Sequence, residues 1–432
     1  MPEPDDGHVD LRPGDRVALL VPGSTPYVDL AIALAAEQVV PVPLDPRLTV
    51  SEREALLAYL APTLVVDTAE AVESLLSKLP ESARRGLPRC RPMHVTSGTT
   101  GHPKGVWSGI LDAPAAQALV EEERDLWGFS PGDVNLVLSP MHHSAPLRFA
   151  TGTLLAGGRV VVPGAFDPAA VTTAIETERP TTMFCVPTHL QRLFAHWDEA
   201  GVPDLSSFRL VAHAGAACPP AVKERLIDLF PEGSTWEFYG STEGQFTACR
   251  SEDWRENPGT VGRARPGRSL LLDDDGTIWC TVPEHARFTY WDAPEKTAAA
   301  WRDTERGPAF TVGDLGRLDD DGYLYLDGRR EDLVISGGVN VYPVEVENAL
   351  RAADGVVDVA VFGVADQQWG QRVCAAVVGD VDHDVLRALA RERLSPAKRP
   401  KDYVAVAALP MTATGKVRRL ALPGLLDLDG PE

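Results

Sequence analysis

The residues from Thr96 to Val106, Thr-Ser-Gly-Thr-Thr-Gly-His-Pro-Lys-Gly-Val, gather hydroxyls, glycines and one lysine into a segment too short to hide them. Glycines at 98 and 101 let the backbone approach a ligand closely. Thr96, Ser97, Thr99 and Thr100 supply hydroxyl donors, and Lys104 adds a compact positive charge suited to phosphate oxygens. The segment can cradle the β- and γ-phosphates of a nucleotide, although the same composition also makes a flexible linker. Scarce lysine in an arginine-rich chain and the stiffening Pro103 favour the cradle. The spacing of Gly98, Gly101 and Lys104 does not give the G-x-x-x-x-G-K-[ST] loop.

Four other stretches carry chemistry. In Tyr239-Gly-Ser-Thr-Glu-Gly244, Glu243 can hold Mg²⁺, Thr242 can bond a phosphate and Tyr239 offers a ring face to a purine. A polar turn is the plainer reading of those six residues. In Thr311-Val-Gly-Asp-Leu-Gly316, Asp314 suits a ribose diol or simply a β-turn, and Arg329 after Gly328 suits ribose, phosphate or solvent. In Met411-Thr-Ala-Thr-Gly-Lys-Val-Arg-Arg419, Lys416 stands among small residues instead of in a basic block. Pro140-Met-His-His-Ser-Ala-Pro146 puts two histidines where strand geometry would face them to opposite sides, one toward a pocket. With no third ligand at workable spacing, a metal site there is rejected.

The elements that must position these residues belong to a chain of 432 residues, enough for two or three domains. A net charge of -21, from 41 basic and 62 acidic residues, argues against nonspecific nucleic-acid or anionic-membrane binding. A polyanion such as ATP must then meet a local site, with Mg²⁺ supplying charge. The first residues have neither the basic region nor the apolar core of a signal peptide. Apolar stretches at Val28–Leu44 and Leu154–Phe166 are broken by Glu37 and Arg159. The six cysteines are scattered without a Cys-x-x-Cys pair, which fits core packing in a reducing cytoplasm.

Residues 15–70 alternate strand and helix signals: Val17–Val21, Thr25–Glu37, Val39–Leu44, a helix through Leu60 opened by a Ser51/Glu54 capping box, then Thr63–Val66. Further strands are expected at Val134–Leu138, Val160–Val162, Thr182–Val186, Leu210–Ala214 and Thr235–Tyr239. Helices are expected over 187–198 and 219–230. That order predicts parallel sheets with helices on their faces and ligand sites at the strands' C-terminal ends. Asp275-Gly276 and Asp321-Gly322 predict hairpins in an antiparallel subdomain over about 250–328. Beyond it a helix at Val344–Arg351, strands at Val356–Val364 and Val373–Val378 and a helix at Asp384–Leu394 predict a small α+β domain. The fold class is therefore α/β: a large N-terminal domain of parallel-rich sheets with a small antiparallel subdomain, then a small α+β C-terminal domain. The expected boundaries are 1–328, a hinge at 329–332, and a mobile 333–432.

Taken together, the glycine loop, Tyr239–Gly244, Gly313-Asp314, the run Gly328-Arg-Arg-Glu-Asp-Leu-Val-Ile-Ser-Gly-Gly-Val-Asn-Val-Tyr-Pro-Val-Glu-Val-Glu347 and Thr414-Gly-Lys416 resemble the adenylate-forming superfamily. His213-Ala-Gly-Ala-Ala-Cys-Pro-Pro and Pro140–Pro146 look most like acyl- and aryl-CoA synthetases. The resemblance implies a two-step reaction, in which a carboxylate attacks the α-phosphorus of Mg-ATP and a thiol, usually of CoA, then displaces AMP. It assigns Ser97, Thr99, Thr100 and Lys104 to pyrophosphate, Glu243 to Mg²⁺ and Thr242 to the α-phosphate. Gly215, Ala216, Tyr239 and Gly240 would frame the adenine and the adjoining pocket, and Asp314 and Arg329 would hold the ribose. Lys416 would bridge the reacting carboxylate and phosphate. Glu331 falls at the hinge, and domain rotation would bring in Gly337 and Gly338. Lys398, Arg399 and Lys401 would meet CoA, and His143, Phe184, Gly240 and Phe246 would line the acid pocket. Compared with the family the chain begins some tens of residues in, 67–92 is short, Val312 and Val339 replace a usual threonine and glutamate, and Ala397 replaces a frequent tyrosine.

The reaction expected is therefore acid activation with ATP and Mg²⁺ followed by thioester formation with CoA, by a cytoplasmic enzyme with a small-molecule acid as partner. Its oligomeric state is left open, a homodimer included. An alternative keeps adenylation and changes the acceptor or acid: a carrier protein, an amine, or nitrite activated to diazotise an aromatic amine. A non-catalytic nucleotide sensor would predict erosion of Lys104, Glu243, Asp314, Arg329 and Lys416, yet all five are present.

Overall fold

Val17, Ala18 and Leu19 have no exposed surface, and strands covered on both faces read as continuous apolar runs that pair in parallel beneath helices. The computed structural model describes residues 11–96, 103–329, 332–336, 339–411 and 417–428. Strand Arg16–Leu19 lies between Val40–Pro43 and Leu64–Val66, parallel to both. Helix Thr25–Ala36, capped by the Ser24 hydroxyl, packs its Val28, Ile32 and Leu34 into the core with Val17 and Leu19. The second helix, Val50–Leu60, is opened by Thr49 and Glu52 instead of the expected Ser51 and Glu54. Two such pairs overlap in this sequence. Thr49 is the one left in extended backbone, and Glu52 returns a bond to its amide at 2.9 Å.

A second sheet holds seven strands in the order Arg263–Ala264, Thr247–Arg250, Thr235–Glu237, Leu210–His213, Thr182–Cys185, Val134–Val137, Arg159–Val161. The last five are mutually parallel, and Thr247–Arg250 and Arg263–Ala264 add on antiparallel. The expected parallel alternation is thus divided between two sheets. Helices Pro187–Ala200 and Pro220–Leu229 cover the larger one through Leu190, Leu193, Trp197 and Leu226.

The chain divides into two compact units, residues up to Leu270 with Cys280–Phe310, and Leu271–Trp279 with residues from Thr311 onward. Antiparallel pairing appears in both, as expected for this region. In the first unit Trp301–Thr304 pairs with Gly307–Phe310. In the second, Asp314–Leu318 pairs with Leu324–Arg329 around the Asp321-Gly322 turn. The second unit also contains the antiparallel pair Val356–Asp366 and Gly370–Gly379, with Asp402–Ala405 parallel to the latter. Helices Pro343–Leu350 and His383–Arg393 pack there over Val361, Val373 and Ala375. Among the described residues no helix is long and apolar enough to cross a membrane, and all six cysteines are free.

One buried ion pair ties a helix to the larger sheet. Lys223, on Pro220–Leu229, bonds Glu237 at the end of the strand leading into Tyr239, and neither side chain is more than 9% exposed. Removing one partner strands a buried charge, whereas removing both does not. Lys223→Met should therefore cost about 3–5 kcal/mol in denaturant unfolding. The double variant Lys223→Met with Glu237→Leu should recover most of that loss.

Candidate active site

The order of the larger sheet reverses at Val134–Val137: the chain goes to one side for Arg159–Val161, then returns to the other for Thr182–Cys185. Open α/β sheets bind ligands outside the C-terminal ends of strands at such a reversal. The residues arriving there are the histidine turn after Leu138, Val186, the Gly215-Ala216 turn and the Tyr239–Gly244 turn.

Strand Thr235–Glu237 runs directly into a tight hairpin. The Phe246 and Thr247 amides donate to the Tyr239 carbonyl at 2.9 and 3.1 Å, and Ser241 donates to the Gly244 carbonyl at 2.9 Å. A side chain at Gly240 would come within 2.8 Å of the Gly244 carbonyl oxygen, and one at Gly244 within 2.9 Å of the Phe310 ring. Only glycine fits at either place, which explains the small residues flanking the acid. Thr242 is half-buried on this turn.

Glu243 is only 8% exposed. Its Oε1 accepts a hydrogen bond from the Tyr290 hydroxyl at 2.8 Å. Among the described residues no other side chain hydrogen-bonds the carboxylate, so an oxygen is left for a hard cation. Burial, and then the charge of Glu243, push the Tyr290 phenol above its ordinary range, so it stays a donor. The Lys104 ammonium lies 5.1 Å from the centre of the same ring. One strand pairing produces this alignment. Thr289–Tyr290 pairs antiparallel with Lys104–Trp107, which in turn pairs with Val95–Thr96. Thr96 and Lys104, which flank the glycine segment in sequence, are thus cross-strand partners. Ser97, Gly98, Thr99, Thr100 and Gly101 lie outside the described residues.

Behind this group stands Arg91, whose guanidinium donates to the Glu243 carbonyl at 3.3 Å and the Arg287 carbonyl at 3.4 Å. Burial, then the like charges of Arg148 and Arg268, lower it to about 10 against the pull of Glu123 and Glu243. Neither Tyr290 nor Arg91 carries a sequence signal, because each acts through partners far away in the chain.

At the histidine turn the strand ends ahead of Pro140, as expected, so strand geometry does not govern the two histidines. The strand ends at Val137, Pro140 breaks it, and the His143 amide turns back to the Pro140 carbonyl at 3.2 Å. The His142 and His143 rings consequently pack 4.2 Å apart instead of facing opposite sides. His143 then precedes helix Ser144–Leu155 at its N-cap position. Phe184 is 6% exposed and lies 5.7 Å from both Phe149 and Phe238 in an aromatic cluster. Phe246 is fully buried between Tyr239 and Phe310, 4.8 Å from each ring, and so shapes the hairpin from beneath. Gly215 and Ala216 are exposed beyond strand Leu210–His213, leaving a surface on which a flat ring can rest.

In the second unit, Asp314 and Arg329 are cross-strand partners in register at one end of their hairpin. Glu331, Gly337, Gly338 and Lys416 lie outside the described residues. Close to them in sequence, Arg419 bonds Asp332 at 2.8 Å and Glu347 at 2.6 Å. The expected CoA contacts have internal partners: Lys398 bonds both Glu345 oxygens at 2.6 and 2.7 Å, Arg399 bonds the Leu394 carbonyl and Lys401 the Pro396 carbonyl. Among the described residues no group of three or more His, Cys, Asp or Glu is placed to hold a metal by itself.

Residues 93–283 match the AMP-binding enzyme model and residues 345–416 the AMP-binding enzyme C-terminal domain. This chain belongs to the AMP-binding enzyme family. A feruloyl-CoA synthase from Amycolatopsis is 34% identical over 450 residues, covering 94% of this chain and 88% of that one. ATP-bound MatB from Rhodopseudomonas palustris superposes with a TM-score of 0.79 at 28% identity, covering 96% of this chain and 89% of its own. The amide bond synthetase McbA from Marinactinospora thermotolerans gives a TM-score of 0.81 at 28% identity, covering 96% and 91%. The adenylate-forming fold expected from the motifs is therefore the fold of this AMP-binding enzyme, and its enzyme class is acid–thiol ligase.

One titration next to the site has a measurable sign. Burial lowers His94 from 6.5 to about 4, and its Nδ1 lies 2.9 Å from the His142 carbonyl. Held neutral when folded, His94 takes up a proton only in the unfolded chain as pH falls below 6.5. Stability from this group is complete above that pH and drains away down to about pH 4. His94→Gln, which keeps a donor but does not titrate, should lose about 3 kcal/mol less than wild type between pH 7 and pH 4. Denaturant midpoints at the two pH values measure the difference.

Proposed function

We propose that this AMP-binding enzyme activates a carboxylic acid with ATP as an acyl-adenylate, releases pyrophosphate, and passes the acyl group to CoA as a thioester. The observation that carries the reading is the alignment of Lys104, Tyr290 and Glu243 beside the hairpin of glycine-loop strands. A free carboxylate cannot expel oxide, so its oxygen must first leave as part of a better leaving group. In the first step the acid's oxygen bonds the α-phosphorus and the bond to pyrophosphate breaks. In the second, the thiol sulfur bonds the acyl carbon and AMP departs.

Ser97, Thr99, Thr100 and Lys104 would hold the departing pyrophosphate, and Thr242 the α-phosphate. Glu243, fixed by Tyr290, fits Mg²⁺, which would neutralise phosphate charge there. Gly215, Ala216 and Tyr239 would frame the adenine, and Asp314 and Arg329 the ribose. Lys416 would stabilise charge as it builds between carboxylate and phosphate. His143 and Phe184 would line the acid's crevice. Lys398, Arg399 and Lys401 would exchange their internal partners for CoA phosphates, after rotation about Glu331 brings the face with Gly337 and Gly338 into play. The free cysteines support a cytoplasmic setting.

A second reading keeps the adenylate and changes the acceptor to an amine or carrier protein, or the acid to nitrite. The likeness to an amide bond synthetase and the internal bonds of Lys398, Arg399 and Lys401 favour it. Pyrophosphate release across aliphatic acids, aromatic acids and nitrite with aminoarenes, with products weighed with and without CoA, decides between them. Product formation that ignores CoA would overturn the thioester reading.

Two variants test the residues. Lys416→Ala should collapse pyrophosphate release while sparing thioester formation from supplied acyl-adenylate; wild-type adenylation rates would remove Lys416 from the mechanism. Tyr290→Phe keeps the ring and loses the bond to Glu243. It should raise the Mg²⁺ needed for half-maximal pyrophosphate release about ten-fold, as expected for a lost bond to a charged group. An unchanged Mg²⁺ curve would count against Glu243 as the metal ligand.

A further inference from the structure

The second step hands an acyl group to a nucleophile that carries a proton, and no residue placed above takes that proton. A thiol of the cysteine kind ionises at about 8.5, so at pH 7 only a small part of it is thiolate. Attack is faster when a side chain accepts the proton as the new bond forms. Such a base needs an open lone pair, a neutral form at working pH and a place beside the acyl carbon.

Three loops of the first unit bring one candidate into that place. His142 lies on the turn after Pro140, and its carbonyl sits 2.9 Å from Nδ1 of His94, two residues ahead of Thr96 and the glycine segment. Its ring packs 4.2 Å from that of His143, which is assigned to the acid crevice. The acyl carbon belongs to the acid and is one oxygen away from the α-phosphorus. It must therefore lie between the crevice and the phosphates, and His142 stands at that junction. Met141 fixes the turn: it is 2% exposed, and a side chain at Gly23 would come within 2.7 Å of it, so the loop after strand Arg16–Leu19 closes against it.

The loop after strand Val40–Pro43 supplies a carboxylate. Asp45 Oδ2 lies 3.7 Å from His142 Nε2, an ion-pair distance, with the two side chains 17% and 11% exposed. Arg47 fixes this acid, its amide, Nε and Nη2 donating to Asp45 at 2.9, 3.0 and 2.8 Å. Burial would raise the Asp45 carboxyl, but the bonds from Arg47 prevail and hold it below its ordinary value, so it is an anion at pH 7. Among the described residues, the titratable and charged groups facing His142 are Asp45 and Arg47 from that loop, His143 from its own turn and His94 from the strand beside it. Burial keeps His94 neutral, and burial lowers His142 below 6.5 against the pull of Asp45 and with the help of Arg47. The imidazole is therefore neutral at pH 7. An Nε2–H directed at Asp45 leaves the lone pair on Nδ1, which has no hydrogen-bond partner among the described residues and is not sealed off as both nitrogens of His213 are. A carboxylate that selects one tautomer and steadies the imidazolium is what makes a histidine an effective base.

We propose that His142 is the general base of the acyl-transfer step, with Asp45 its positioning residue. The acceptor's S–H proton passes to His142 Nδ1 and the sulfur bonds the acyl carbon. The bond from that carbon to the AMP oxygen then breaks, its electron pair leaving on the phosphate. The proposal rests on the acid-activating reading above and supplies its proton acceptor; an amine acceptor would lose its proton to the same nitrogen.

The test follows AMP release from supplied benzoyl- and hexanoyl-adenylate with CoA between pH 6 and pH 9.5. The wild-type rate should level off below the thiol's own pKa of about 8.5. His142→Gln should lose about 100-fold or more at pH 7. Its rate should then climb about ten-fold per pH unit as solution ionises the thiol, closing most of the gap by pH 9.5. Asp45→Asn should show the same narrowing with a smaller loss. A deficit in His142→Gln that is equal at every pH, as a merely structural role would give, overturns the proposal, and so does no deficit. If His142→Gln fails to fold, the wild-type profile decides: a plateau below the thiol's pKa supports the base, and a rate that tracks thiol ionisation up to about 8.5 overturns it. If wild type releases pyrophosphate from an acid but forms no thioester, the CoA reading fails and the series is run with methylamine, where the same narrowing in His142→Gln supports the proposal and its absence overturns it. No pyrophosphate release from any acid would instead defeat the acid-activating reading.

Discussion

A carboxylate that is 8% exposed needs a hydrogen-bond partner from the protein, and Glu243 finds one in the Tyr290 hydroxyl. Much of the first unit follows from this bond. Tyr290 can reach Glu243 because its strand pairs with Lys104–Trp107, and that pairing also sets Lys104 beside the same ring. Tyr59 fastens the joint by donating to the Trp291 carbonyl at 2.6 Å and accepting from the Gly105 amide at 3.3 Å. The acid, the lysine and Thr96 are therefore tied to one another through one set of paired strands. Positioning of this kind matters more than raw binding, because the charge to be stabilised appears only as pyrophosphate departs.

The charge beneath the Tyr239–Gly244 hairpin obeys the same rule with the opposite sign. Glu122 and Glu123 follow one another on helix Ala113–Trp127, and each draws cations of its own besides one they share. Each collects its own: Arg268 and His285 for Glu122, Arg148 for Glu123, with Arg265 touching both. Arg265 is fixed further by its amide, which donates to the Phe246 carbonyl at 3.0 Å. The hairpin that presents Thr242 and Glu243 is consequently held from below by ionic contacts and from the side by Phe310. A chain with net charge -21 thus gathers Arg148, Arg265 and Arg268 around one pair of glutamates beneath this hairpin.

The parallel alternation was legible because each strand is a short apolar run ended by a polar turn, and burial on both faces leaves that pattern little freedom. Legibility failed where a local signal was duplicated or a partner was remote. Thr49/Glu52 and Ser51/Glu54 satisfy one capping pattern, and only the backbone angle at Thr49 separates them. The paired histidines would face apart on a strand, but the turn that follows Pro140 packs their rings together. Tyr290, Arg91 and Arg148 were invisible in a stronger sense: an isolated tyrosine or arginine reads as surface, and its role exists only in contacts made across the fold. The candidate groups could be named from type and spacing, whereas a partner such as Tyr290, which holds Glu243, could not.

The second unit applies this logic to placement. Arg419 stands three residues beyond Lys416, and its guanidinium bridges Asp332 and Glu347. Glu347 also accepts the Val361 amide at 2.9 Å, so the arginine is tied to helix Pro343–Leu350 and through it to the central strand pair. Burial would loosen the Arg419 proton, but the two carboxylates more than compensate and keep the guanidinium charged. An arginine with two fixed acid partners loses little further freedom when a neighbour binds ligand. It also links the stretch after Val417 to Asp332, the last residue of the expected hinge.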